Sequence, residues 1–137
     1  MRLDSQFEST KLNILVAEDE EYNFLFISEV LKDYNVNLIR AYNGKMAIDL
    51  VQQKPDIDLV LMDVGMPVMD GLEATKRIKS LRPELPIIIQ TAYSHLSDKH
   101  MALESGCDCF MAKPIVKTEL FKCLEKYKPI HAVLEKV

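Results

Sequence analysis

Short apolar runs alternate along the chain with stretches whose apolar residues recur every three or four positions. The runs are Leu12–Ala17, Val36–Ala41, Ile57–Met62, Pro86–Gln90 and Asp108–Ala112. The first, third and fourth are almost continuously apolar, the signature of parallel strands covered on both faces. Between them lie helical stripes: Phe24, Ile27 and Leu31; Met46, Ala47, Leu50 and Val51; Ala74, Ile78 and Leu81; and finally Leu120, Leu124 and Tyr127. The segment from His95 to Glu104 has the weakest stripe. Asn43-Gly44, Lys54-Pro55, Asp70-Gly71, Arg82-Pro83 and Ser105-Gly106 punctuate the series. Asn43-Gly44 lies between a strand and a helix, so it reads as a helix start and not a hairpin. Strand–helix alternation of this kind predicts an α/β fold: a doubly wound, parallel, five-stranded sheet between helices, a three-layer (βα)5 arrangement.

Composition narrows the class. The 137 residues carry 17 basic and 21 acidic side chains, a formal charge of −4, which argues against a general nucleic-acid binder. The longest uncharged run, Leu85 to Ser97, is interrupted by polar residues and falls short of the ~20 apolar residues a membrane span needs. The polar residues 1–10 do not form a signal peptide and read as a leader or linker before a domain over 11–127. Residues 128–137 read as a tail or a helix extension. Cys107, Cys109 and Cys123 lack metal-binding spacing and are expected to be reduced thiols of a cytoplasmic protein.

In a doubly wound sheet, ligands sit beyond the carboxyl ends of the strands. Those ends carry Glu18 and Asp19 after the first strand, Asp63 after the third, Thr91 after the fourth and Lys113 after the fifth. The second ends in Ala41-Tyr42, with no obvious chemistry. Taken singly, each such residue reads as a cap or a solvated strand end. Together they would place three carboxylates, a hydroxyl and an ammonium in one crevice. Clustered carboxylates repel unless a cation compensates them. With oxygen donors and no His or Cys nearby, the fitting cation is hard: Mg²⁺, or Mn²⁺ in its place. A carboxylate beside such a metal and a lysine is equipped for phosphoryl transfer, and Asp63, mid-sheet, is the candidate nucleophile.

The acidic VAEDE (Val16–Glu20), MDVGMPVMDG (Met62–Gly71), TAY (Thr91–Tyr93) and KP (Lys113-Pro114) resemble the motifs of a two-component response-regulator receiver domain. The resemblance covers about Lys11 to Tyr127 and implies the flavodoxin-like receiver topology. It implies that Asp63 accepts a phosphoryl group from a phosphohistidine on a histidine kinase or histidine phosphotransfer domain. Glu18, Asp19, Asp63 and the backbone carbonyl of Gly65 would hold Mg²⁺, while Thr91 and Lys113 would contact the phosphoryl group. Thr91 and Phe110 would form the switch, remodelling a face of helix four, strand five and helix five for a downstream protein. A cis peptide is expected at Lys113-Pro114. Gly65 is small and Tyr93 bulky for the family; both would lie near the incoming water or phosphodonor and bear on the lifetime of the phosphorylated state.

The isolated domain would catalyse only its own phosphorylation and dephosphorylation, with no direct nucleic-acid or membrane contact. VAEDEEYN and MPVMDG look most like the receiver of a hybrid sensor histidine kinase; a stand-alone regulator acting by protein contact is the alternative. A flavin-phosphate binder fits poorly, because the loop after strand one is Glu18-Asp19-Glu20-Glu21 and repels phosphate. An aspartyl-phosphate hydrolase, by family resemblance, would want a second carboxylate at Gly65. A degenerate scaffold would not keep all five chemical positions filled.

Overall fold

The structure, a computed structural model, describes residues 11–92 and 96–137, with backbone alone over 96–98. The leader 1–10 and Tyr93 lie outside the described residues. Five strands, β1 (Leu12–Ala17), β2 (Val36–Ala41), β3 (Leu59–Asp63), β4 (Ile87–Thr91) and β5 (Cys109–Ala112), pair in parallel in the order β2-β1-β3-β4-β5. Helices α1 (Glu21–Leu31), α2 (Gly44–Gln53), α3 (Gly71–Leu81), α4 (Leu96–Glu104) and α5 (Lys117–Tyr127) connect and follow them. The expected three-layer, flavodoxin-like sheet is therefore present.

Period-two alternation splits the strand residues between two cores. Leu15, Val60, Met62, Ile87 and Ile89 pack under α2, α3 and Ala102 of α4. Ile14, Val16, Leu59, Leu61, Ile88 and Met111 pack under α1 and α5. Burial on both faces explains why the central runs are continuously apolar. The strands β3 and β4 begin one or two residues later than the apolar runs suggest and include Asp63 and Thr91. Ile57 is buried but precedes the ladder, because Asp58 caps the edge of β1: its carboxylate accepts from the Asn13 amide at 2.8 Å. Asn43 and Asp70 cap α2 and α3, accepting from the Met46 and Glu73 amides at 2.8 and 2.9 Å, as the turn chemistry predicts.

Two features go beyond what the sequence determines. Cys109 and Cys123 bring their sulfurs together, while Cys107 stands apart from them. Spacing rules do not see this pair, which arises because both side chains face the layer between β5 and α5. Of the two readings open for residues 128–137, the structure shows the tail and not an extension of the last helix. Lys128 is extended, as the residue before Pro129 tends to be, and the chain turns back under the sheet. Ala132 and Leu134 are buried in the α1–α5 core. Asn35 donates to the Val133 carbonyl at 3.1 Å, and the Val137 amide donates to the Asp33 carbonyl at 2.6 Å.

Leu134 is 1% exposed, so truncating it leaves a cavity in that core. Leu134→Ala is expected to lower the unfolding free energy by about 2–5 kcal/mol. Urea unfolding followed by far-ultraviolet circular dichroism measures this, and a change under 1 kcal/mol would mean the tail does not dock.

Candidate functional site

The order β2-β1-β3 places the reversal of winding between β1 and β3, and the predicted residues gather at that point. Glu18 leaves β1 fully buried, Asp63 ends β3 at 4% exposure, and Thr91 ends β4 at 3%. Lys113 follows β5 and brings the far edge into the crevice. Its ammonium lies 3.0 Å from Asp63 Oδ1 and 3.3 Å from Glu18 Oε1. Carboxylate oxygens of Glu18, Asp19 and Asp63 all fall within 4.8 Å of one another. Glu18 Oε2 also accepts from the Glu20 amide at 3.2 Å, which ties the acidic loop back on itself.

The loop after Asp63 is folded by its own backbone. The Gly71 amide donates to Val64 O at 3.0 Å, and the Gly44 amide to Met69 O at 3.1 Å. A Cβ on Gly71 would collide with the Asp63 carbonyl, so only glycine lets α3 start this close to the acidic strand end. Val68 takes φ of 70°, a conformation β-branched residues avoid, which marks local strain beside the site. A Cβ on Gly65 would meet no heavy atom within 4 Å, so that side of the loop is open.

Lys113-Pro114 is cis, as the resemblance implies, and the Lys113 amide donates to Thr91 O at 2.7 Å. The adjacent residue Gln90 is paired in register with Asp63, so Thr91 and Lys113 are set beside the acidic cluster by strand pairing. Phe110 lies opposite Ile89 on β5, half-buried against the α2–α4 core.

Burial pushes the Glu18 carboxyl above its ordinary value of 4.5, and the neighbouring charge of Asp63 adds to the rise. For Lys113, burial is the largest single influence and acts downward. The hydrogen bond and charge of Asp63, with those of Glu18, outweigh it and leave the ammonium above its ordinary 10.5. Three ionised carboxylates against one ammonium leave a local charge of −2, which one divalent cation cancels. All donors are oxygens, so the set fits a hard cation such as Mg²⁺.

Sequence reasoning missed Arg40. Its Nε donates to the Glu18 carbonyl at 3.1 Å, and its Nη1 lies 3.1 Å from Glu21 Oε2. The guanidinium sits 4.9 Å from the Phe24 ring centroid and 4.3 Å from that of Tyr42. The available signal was a lone arginine in an otherwise mostly apolar strand, two residues before an aromatic.

Because its folded value is raised, Glu18 favours the fold fully below pH 4.5 and loses that contribution as pH rises through the folded value. The raised Lys113 value acts only in the alkaline range. In chelator, the melting temperature of Glu18→Gln relative to the unsubstituted protein is expected to climb as pH rises above 4.5. A flat difference across that range would contradict the assignment.

Residues 14–125 match the family described as the response regulator receiver domain. The transcriptional regulatory protein ZraR of Salmonella typhimurium is 37% identical over 116 residues, which are 85% of this chain and 26% of that protein. The sensor protein GacS of Pseudomonas syringae is 35% identical over 119 residues, 83% of this chain and 13% of GacS. This chain thus spans about a quarter or less of these relatives. Among solved structures, the receiver domain of the Saccharomyces cerevisiae response regulator Ssk1, crystallised with the histidine phosphotransfer protein Ypd1, superposes with a TM-score of 0.81. That likeness is at 26% identity and covers 90% of this chain and 93% of the other. With its acidic crevice at the reversal of a five-stranded parallel sheet, this chain belongs to the response regulator receiver domain family of two-component signalling.

Proposed function

We propose that Asp63 is the phosphoacceptor of a phosphorelay, taking a phosphoryl group from a phosphohistidine on a histidine kinase or histidine phosphotransfer domain. The observation that carries this reading is Lys113 bridging Asp63 and Glu18 in a crevice that Asp19 completes. A free oxygen of Asp63 attacks phosphorus, the O–P bond forms as the N–P bond breaks, and imidazole departs. Glu18, Asp19, Asp63 and the Gly65 carbonyl would hold Mg²⁺, which would supply positive charge to offset that of the phosphoryl oxygens. Lys113 neutralises a further oxygen, and the open side at Gly65 gives donor or water access.

The donor side lies next to α1. Tyr22 and Phe26 are exposed there, and they line a cleft of about 480 Å³ with Gln90, Lys113, Pro114 and Ile115. The crystallised Ssk1 receiver with Ypd1 supports a phosphotransfer protein as donor. Because phosphohistidine derives from ATP, the domain is placed in the cytoplasm. On the likeness to GacS, we assign it to a hybrid sensor histidine kinase. The likeness to ZraR, a transcriptional regulatory protein of which this chain spans 26%, favours a second reading, the receiver part of a response regulator.

Readout runs through Thr91 and Phe110 to the face of α4, β5 and α5. Shifting a two-state equilibrium from 1:99 to 99:1 takes about 5.5 kcal/mol, and a hydrogen bond to a charged group supplies about 1.5–3. Lys113 already contacts Asp63 at 3.0 Å, so its differential share is small and the population shift is partial.

Incubation with Mg²⁺ and a small acyl phosphate is expected to add the mass of one phosphoryl group, and Asp63→Asn is expected to add none. Label on Asp63→Asn, or none on the unsubstituted protein, would overturn the reading.

A further inference from the structure

The acidic loop is held from outside by a residue that none of the chemistry above uses. Arg40 projects from β2, one strand away from β1, and its side chain is only 11% exposed. Its guanidinium closes three kinds of contact at once. Nε donates to the carbonyl of Glu18, Nη1 pairs with the carboxylate of Glu21, and the plane lies near the rings of Phe24 and Tyr42. The contacts bracket the acidic pair, since Glu18 opens the loop and Glu21 begins α1. The lock is completed by the Glu18 amide, which donates to Ala41 O at 2.9 Å. Both backbone polar groups of Glu18 are thus fixed by the end of β2.

We propose that Arg40 is a positioning residue that fixes the Glu18–Glu21 loop in the geometry that binds Mg²⁺. The inference rests on the metal reading above. At the start of α1 the Glu20 side chain caps no helix amide; it accepts instead from Asn23 Nδ2 at 3.0 Å, so the grip on Glu18 and Glu21 from outside the helix comes from Arg40. Mg²⁺ demands near-ideal octahedral geometry, so small displacements of Glu18 or Asp19 weaken its binding. A planar fork with delocalised charge can stack on rings while donating in two directions; the point charge of lysine cannot.

Electrostatics alone predicts the opposite sign. Arg40 is a cation beside a site for a cation, so a purely Coulombic role would make its removal tighten Mg²⁺ binding. Positioning predicts weakening, and groups supporting metal ligands typically cost about 10–100-fold when lost. Because Arg40 grips the backbone of Glu18 and not its carboxylate, the lower end, roughly 10-fold, is expected.

The test is Mg²⁺ titration by calorimetry on Arg40→Gln, Arg40→Lys and Tyr42→Leu, with melting temperatures recorded in chelator. Arg40→Gln and Arg40→Lys are both expected to bind Mg²⁺ about 10-fold more weakly while still melting cooperatively. Tyr42 is half exposed, so Tyr42→Leu keeps the fold, loosens only the stack and is expected to fall between. Should the Arg40 variants fail to fold, Tyr42→Leu decides alone. Unchanged or tighter Mg²⁺ binding in the folded variants overturns the positioning role while leaving the metal site intact. No Mg²⁺ uptake by the unsubstituted protein overturns the metal reading and this inference with it.

Discussion

Like charges forced together at one strand reversal set the terms for everything else in this domain. Glu18 and Asp63 are both buried, and burial alone raises the cost of ionising Glu18. Lys113 relieves part of that cost by touching both carboxylates, but it reaches them only from the far edge of the sheet. The crevice therefore exists only when β1, β3, β4 and β5 are in register, so the chemistry depends on the whole sheet and not on a local motif.

The surrounding loops answer the same demand. The segment from Val64 to Gly71 closes on itself, and glycine at 71 lets α3 begin against the Asp63 carbonyl. Among the described residues, Val68, exposed at the tip, is the one non-glycine residue with positive φ. On the other wall, Arg40 holds the acidic loop from β2. Each wall of the crevice is thus fixed by backbone contacts, which under the proposed reading suits a cation that tolerates little misplacement.

Much of this was legible in the sequence because it follows from period and turn chemistry. Almost continuous apolar runs at Leu12–Ala17 and Ile57–Met62 announce strands buried on both faces, and Asn43 and Asp70 announce helix starts. Strand ends then bring Glu18, Asp19, Asp63, Thr91 and Lys113 together without knowledge of any contact. Arg40 escaped because its role lies in long-range geometry: no spacing rule links it to Glu18, 22 residues away. The Cys109–Cys123 pair and the docking of Leu134 escaped for the same reason, since each depends on which faces meet after folding. Strand limits at Leu59 and Ile87 slipped because hydropathy marks burial, whereas the ladder is marked by hydrogen bonds.

The alternation of side chains along the last two strands has an effect on timing. The cleft by α1 opens on one side of the sheet, beside Gln90 and Pro114, whereas Phe110 packs into the core on the other. Under the proposed reading, a sender seated in the cleft leaves the Phe110 side uncovered. The α5 part of the proposed reading face, however, packs on the same side of the sheet as α1, and Pro114 and Ile115 carry the cleft up to its start. Under that reading, handing on the signal through α5 follows departure of the sender.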